Sequence, residues 1–124
     1  MTLQDLSQSI DGNYARAISV LRVEKLIDKH IRKFPKGGVP EALLAAGQTM
    51  DATALFETAH AMKGVCANLG LTRLSDAASE IAEEYRPGNT RKLSDVAVKE
   101  KIAAIGALYQ KTAEGIRLYE AANP

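Results

Sequence analysis

The sequence contains a single cysteine, Cys66, so no disulfide framework can form within the chain, which suits a reducing compartment. Net charge is only +1, too small an excess for bulk nucleic-acid binding, which needs a clear surplus of Lys and Arg. No apolar run approaches the ~20 residues of a membrane span. Asp5 interrupts the N-terminus where a secretory leader would carry Lys and a long apolar core. Alternating β-branched residues, the mark of strands, are also missing. What remains is an ordinary globular composition, 46% hydrophobic and 25% charged over 124 residues, enough to bury a real core. Together these features predict one cytoplasmic domain over residues 1–124, without repeats or low-complexity segments, and with neither nucleic acid nor membrane as a partner.

Apolar residues recur at intervals of three and four almost throughout, the period of amphipathic helices. Leu3, Leu6 and Ile10 predict a short helix ending near Gly12, and Tyr14, Ala17, Ile18 and Leu21 a second. Val23, Ile27, His30 and Phe34 share one face of a third, which Pro35 and Gly37–Gly38 break. Pro40 restarts the chain at a first-turn position, with Val39, Leu43, Ala46 and Met50 inward and Gly47 loosening the end. Asp51 is placed to cap a helix running to about Leu69 and stopping at Gly70. Its inward stripe is Ala52, Leu55, Ala59, Met62, Cys66 and Leu69. Thr72 is expected to cap the next helix, with Leu74, Ala77, Ala78, Ile81 and Tyr85 on one side and Pro87–Gly88 at its end. Ser94 or Asp95 opens the longest, in which Val98, Ile102, Ile105, Tyr109, Ala113 and Ile116 repeat at nearly coiled-coil spacing. The predicted fold is all-α: an antiparallel four-helix bundle over about 23–121, with the short helices of about 2–21 covering one end.

The chemistry concentrates in Ala59–Gly70. By the 3.6-residue period His60 falls more than a quarter turn from the centre of the inward stripe, so its imidazole faces outward. Gly64 and Ala67 follow on the same side, leaving the surface below the ring nearly bare, with Phe56 one turn above. Lys63 stands at the edge between that surface and the core. Gly64 inside a helix costs about 0.8–1 kcal/mol relative to Ala, a cost usually tolerated where another surface must come close. Gly106 and Gly115 also lie within a predicted helix, so glycine alone does not mark a site. An outward imidazole is a nucleophile able to carry a covalent adduct, and a neighbouring Lys is a compact charge that screens an anion on it. The same Lys also suits a packing role, its stem on the core boundary and its head in water.

Other chemistries fail on their own requirements. Glu57-x-x-His60 has the spacing of di-iron bundle proteins, but those need a second such motif, and Ile27 precedes His30 by three. No metal ligand set results. Cys66 lies on the inward stripe as a small core residue, and no nucleophile-elbow pattern is present. His30 reads as a satisfied boundary residue beside Lys25, Lys29, Arg32 and Lys33, a solvated basic face that also suits steering of an acidic partner.

His60, Lys63, Gly64, Asn68 and Gly70, with Ala59 before and Leu74 after, resemble the signature of histidine-containing phosphotransfer (HPt) domains. The resemblance extends over most of the chain, including Tyr14 to Phe34 and Leu43–Ala46. It implies a phosphocarrier of multistep two-component relays rather than an enzyme. His60 would be the phosphoacceptor, Lys63 would stabilise the phosphate, and Gly64, Ala67 and Phe56 would form the surface on which a receiver docks. Implied partners are response-regulator receiver domains and a hybrid histidine kinase, with this chain monomeric. No cofactor is expected here, and Mg²⁺ would come with the receiver. Where some relatives place a glutamine to orient the imidazole, this chain has Ala82. Two alternatives remain: a bundle that docks on a receiver without transfer, and a histidine-kinase dimerisation domain. The intact His60 weighs against the first, and Ala61, where an acidic residue would follow the histidine, against the second.

Overall fold

The computed structural model describes all 124 residues as helices and connecting turns, with no strand. Seven α-helices follow in order: α1 (Leu3–Ser9), α2 (Tyr14–Leu21), α3 (Glu24–Lys33), α4 (Val39–Thr49), α5 (Ala52–Asn68), α6 (Thr72–Tyr85) and α7 (Asp95–Ala122). Their starts are set by side chains that satisfy otherwise unpaired backbone N–H groups. Thr2 and Asp5 form a reciprocal capping box. The carboxylate of Asp51 accepts from the Ala54 N–H at 2.9 Å, and Ser94 does the same for Ala97 at 3.1 Å. Thr72 is not a cap. It is the first residue of α6, and Leu71 takes the cap position without a side-chain bond, because the tight connection through Gly70 pulls Leu71 into the core.

Helices α4, α5, α6 and α7 pack in a ring, each against two neighbours. The register across α5 and α6 is antiparallel, since Ser75 bonds the Lys63 carbonyl and Arg86 faces Phe56, and Lys101 pairs with Glu80 across α6 and α7. Between α4 and α7 glycine permits close approach. A Cβ on Gly47 would stand 2.9 Å from Ile102 Cγ2, and one on Gly106 3.3 Å from Leu44 Cδ2. Gly47 therefore serves packing and does not loosen the end of α4. The broken helix separates into α3 and α4, joined by a 3₁₀ turn at Phe34–Lys36, since Pro35 and the left-handed Gly38 redirect the chain.

Helix α3 joins α1 and α2 over the end of the ring where α5 turns into α6. Tyr119 Oη donates to Asp28 at 2.6 Å, fastening α3 to the C-terminal part of α7. The Asn13 N–H donates to the Gly70 carbonyl at 2.7 Å, fastening the start of α2 to the α5–α6 turn. Gly70 has φ +71°, and a Cβ there would collide with the Asn13 carbonyl, so glycine is required twice over. On α3 the buried stripe is Ile27, Ile31 and Phe34. Val23 is half exposed and His30 exposed, against the inward positions their spacing suggested. Val23 is the extended residue before the helix, and Ile31 takes the core position that His30 flanks.

The loop between α6 and α7 is held by one buried carboxylate. Glu84, 7% exposed, accepts from Arg91 Nε at 2.9 Å and from the backbone N–H groups of Lys92 and Leu93 at 3.0 and 2.9 Å. The Arg91 bond, with the Leu93 and Lys92 bonds after it, keeps this carboxyl below its ordinary value of 4.5. A lowered value in the folded chain means stability that is present above the unfolded value and lost as pH falls through the folded one. Glu84→Gln should therefore lower the melting temperature at pH 7. Its deficit should shrink as pH falls below the unfolded value and on through the lowered folded one. Thermal melts followed by circular dichroism at pH 7 and pH 3 test this; an equal deficit at both contradicts it.

Candidate functional site

Helix α5 is built with two unlike faces. Leu55, Ala59, Met62 and Cys66 are wholly buried, and Leu69 nearly so, which matches the stripe set by the 3.6-residue period except at exposed Ala52. Burial pushes the Cys66 thiol up to about 12, so this lone cysteine is an inert core residue. On the opposite face His60, Ala61 and Gly64 are exposed, while Phe56, Lys63 and Ala67 are half-buried along its edge. The five residues singled out from sequence thus lie on one continuous surface.

Gly64 differs from every other glycine inside a helix of this chain. Cβ atoms on Gly47, Gly106 and Gly115 would meet Ile102, Leu44 and Ile10, whereas one on Gly64 would meet nothing within 4 Å. The first three are explained by internal packing. Gly64 is not, and nothing inside the molecule requires it.

The His60 imidazole has no hydrogen-bond partner in the protein, and the Ala82 position offers none, being an alanine 1% exposed. The ring lies instead against Phe56, with centroids 5.6 Å apart and planes 24° from parallel. Lys63 takes part in no salt bridge. Its carbonyl accepts from Ser75 Oγ at 3.1 Å, which fixes the backbone of α5 at that height against α6. Arg86, at the C-cap of α6, reaches back across the helix pair so that its guanidinium carbon stands 5.8 Å from the Phe56 ring centroid. Glu83 accepts two hydrogen bonds from that guanidinium. The Arg86 pairing keeps the Glu83 carboxyl below the usual carboxylate range, with the charge of Lys63 contributing. Arg86 and Glu83 escape a reading of sequence alone, because only the antiparallel register of α5 and α6 brings position 86 opposite position 56.

Further along the same side of α5, an open cleft of about 230 Å³ separates it from α3. Leu21, Phe34, Val39, Val65 and Leu69 supply its apolar lining, with His30, Lys33 and Asn68 as polar members. His30 is exposed at the wall of this cleft. No group of three His, Cys, Asp or Glu side chains is arranged to hold a metal ion, around Glu57 and His60 or elsewhere.

The family model for the Hpt domain matches residues 22–113, most of the chain. The chain belongs to the Hpt-domain family. No curated protein and no solved structure matches it. Hpt domains are helical phosphocarrier modules of phosphorelays that interact with receiver domains, and they are not enzymes in the ordinary sense. No helix of this Hpt-family chain is long and apolar enough to cross a membrane.

Glycine at position 64 and glycine at position 115 should respond oppositely to alanine. With open space around it, Gly64→Ala should raise stability by up to about 1 kcal/mol through helix propensity. Gly115→Ala should lower it, since the new Cβ would stand 2.5 Å from Ile10 Cγ2. Urea melts of the two variants check this, and equal shifts in the same direction contradict it.

Proposed function

We propose that this chain receives a phosphoryl group on His60 from an aspartyl phosphate of one receiver domain and passes it to the aspartate of another. The observation that carries this proposal is the placement of His60: an exposed imidazole above an open glycine, on a helix whose other face is locked in the core. A free ring nitrogen attacks phosphorus with its lone pair, forming an N–P bond as the P–O bond to the donor breaks. The donor leaves as a carboxylate, and the N–H on the other ring nitrogen stays in place. The reverse step, with a different carboxylate as nucleophile, hands the group on.

The chain contributes the nucleophile and one cation. Lys63 lies one turn from His60 and is not committed to an ion pair, so it is free to screen a phosphoryl group on the ring. Gly64, Ala67 and Phe56 form the docking surface, and the cleft beside Val65 extends it towards Lys33. Charge stabilisation of the transferring group, including Mg²⁺, comes with the receiver, whose aspartates suit the basic edge of α3. A hybrid histidine kinase would begin the relay, in the cytoplasm, with this chain acting as a monomer.

Incubation with a phosphorylated receiver and Mg²⁺ should label the chain with an acid-labile, base-stable phosphate. His60→Gln should abolish labelling with helical circular dichroism unchanged. Lys63→Ala, in the same assay, should slow transfer about tenfold, the factor given by about 1.4 kcal/mol, and cost under ~1 kcal/mol of stability. Labelling that survives His60→Gln, or appears on His30, overturns the assignment. A protein that docks on the receiver and is never labelled favours an interaction module instead.

A further inference from the structure

Transfer between two proteins requires the attacking nitrogen to be held in line with phosphorus, and misplacement is costly. An exposed histidine with no hydrogen-bond partner is poorly suited to this, because its χ2 well is broad. No side chain of this chain hydrogen-bonds the His60 ring, and the one group stacked against it is Phe56.

Side chains on a helix lean towards its N-terminus, so the ring of residue 60 lies over the ring of residue 56 and away from residue 64. The separation of 5.6 Å and the tilt of 24° fall within the range of favourable offset stacking. Phe56 is itself anchored, half-buried against the core on one side and facing the guanidinium of Arg86 on another. Arg86 is in turn held by two bonds to Glu83. The column Arg86–Phe56–His60 thus walls the imidazole on its N-terminal side, and Gly64 leaves the other side open. Stacking engages the face of the ring and leaves both nitrogens, on its edge, free to react.

Resting on His60 as the phosphoacceptor, the geometry points to Phe56 as a positioning residue of the transfer, one that holds the plane of the imidazole by stacking, with Arg86 bracing the Phe56 ring. This adds to its place on the docking surface, and the two roles separate kinetically. Docking is read in the receiver concentration that half-saturates the reaction; positioning is read in the single-turnover rate at saturation.

The experiment compares the parent, Phe56→Leu, Phe56→Tyr and Arg86→Ala with a phosphorylated receiver and Mg²⁺, and with phosphoramidate as a partner-free donor. Phe56→Leu should reduce the saturated rate and the phosphoramidate rate by up to about tenfold, over and above any rise in the half-saturating concentration from its place on the docking surface. Phe56→Tyr, which keeps the stack, should restore both rates. Arg86→Ala, at the solvent end of the column, should fold normally and lower both rates about two- to threefold. In NMR spectra the His60 ring protons should carry an upfield ring-current shift that Phe56→Leu removes and Phe56→Tyr retains. Unchanged rates in Phe56→Leu, a loss confined to the half-saturating concentration, or a loss that Phe56→Tyr fails to restore overturns the proposal while leaving the carrier function intact. A parent protein never labelled on His60 overturns the carrier function and this proposal with it.

Discussion

Leu55, Ala59, Met62 and Cys66 are sealed inside the bundle with no exposure at all, and together they fix the rotation of α5 about its own axis. Once that rotation is fixed, His60 has only one direction to face. The helix cannot roll to bury the imidazole without drawing Leu55 and Met62 into water, at about 1.5–3 kcal/mol for each large side chain. Its height is fixed as well, by Asp51 at the N-terminus, by the Ser75 bond to the Lys63 carbonyl, and by Gly70 clasped to Asn13. The outward face is thereby presented on a rigid element, as the proposed docking role requires.

Much of this was legible in the sequence because a helical period carries its own geometry. The stripe from Leu55 to Leu69 gives the inward direction, and counting from it puts His60, Gly64 and Phe56 on the other side. The differences arise where tertiary contacts outweigh local pattern. Gly47 has the look of a loose helix end, yet it is a contact point for Ile102. Thr72 is a good cap by type, but the pull of Leu71 into the core moves the helix start. His30 shares a spacing with Ile27 and Phe34, and the wider stripe centred on Ile31 leaves it at the edge of the cleft. Arg86 and Glu83 belong to a different helix, and no periodicity within α5 refers to them.

The chemistry and the architecture fit each other through economy. A carrier that must give up its phosphoryl group as readily as it takes it gains nothing from a tight phosphate cradle. On the proposed function, an exposed imidazole, one nearby cation and a bare approach surface would be sufficient, with the partner bringing the remaining charges. Gly64 costs about 0.8–1 kcal/mol of helix propensity relative to Ala. The wholly buried core beneath it offsets that cost, and the glycines packed between α4 and α7 show that elsewhere this fold uses glycine for its own contacts.

Gly64→Leu tests directly whether the open space at Gly64 belongs to a partner. The substitution places a side chain where the structure has no neighbour, so helical circular dichroism and melting temperature should hold. Labelling of His60 by phosphoramidate should change little, whereas transfer from a phosphorylated receiver should fall on the order of a hundredfold. Normal transfer by the Gly64→Leu protein, or its failure to fold, would mean that the bare patch beneath His60 is not a docking surface.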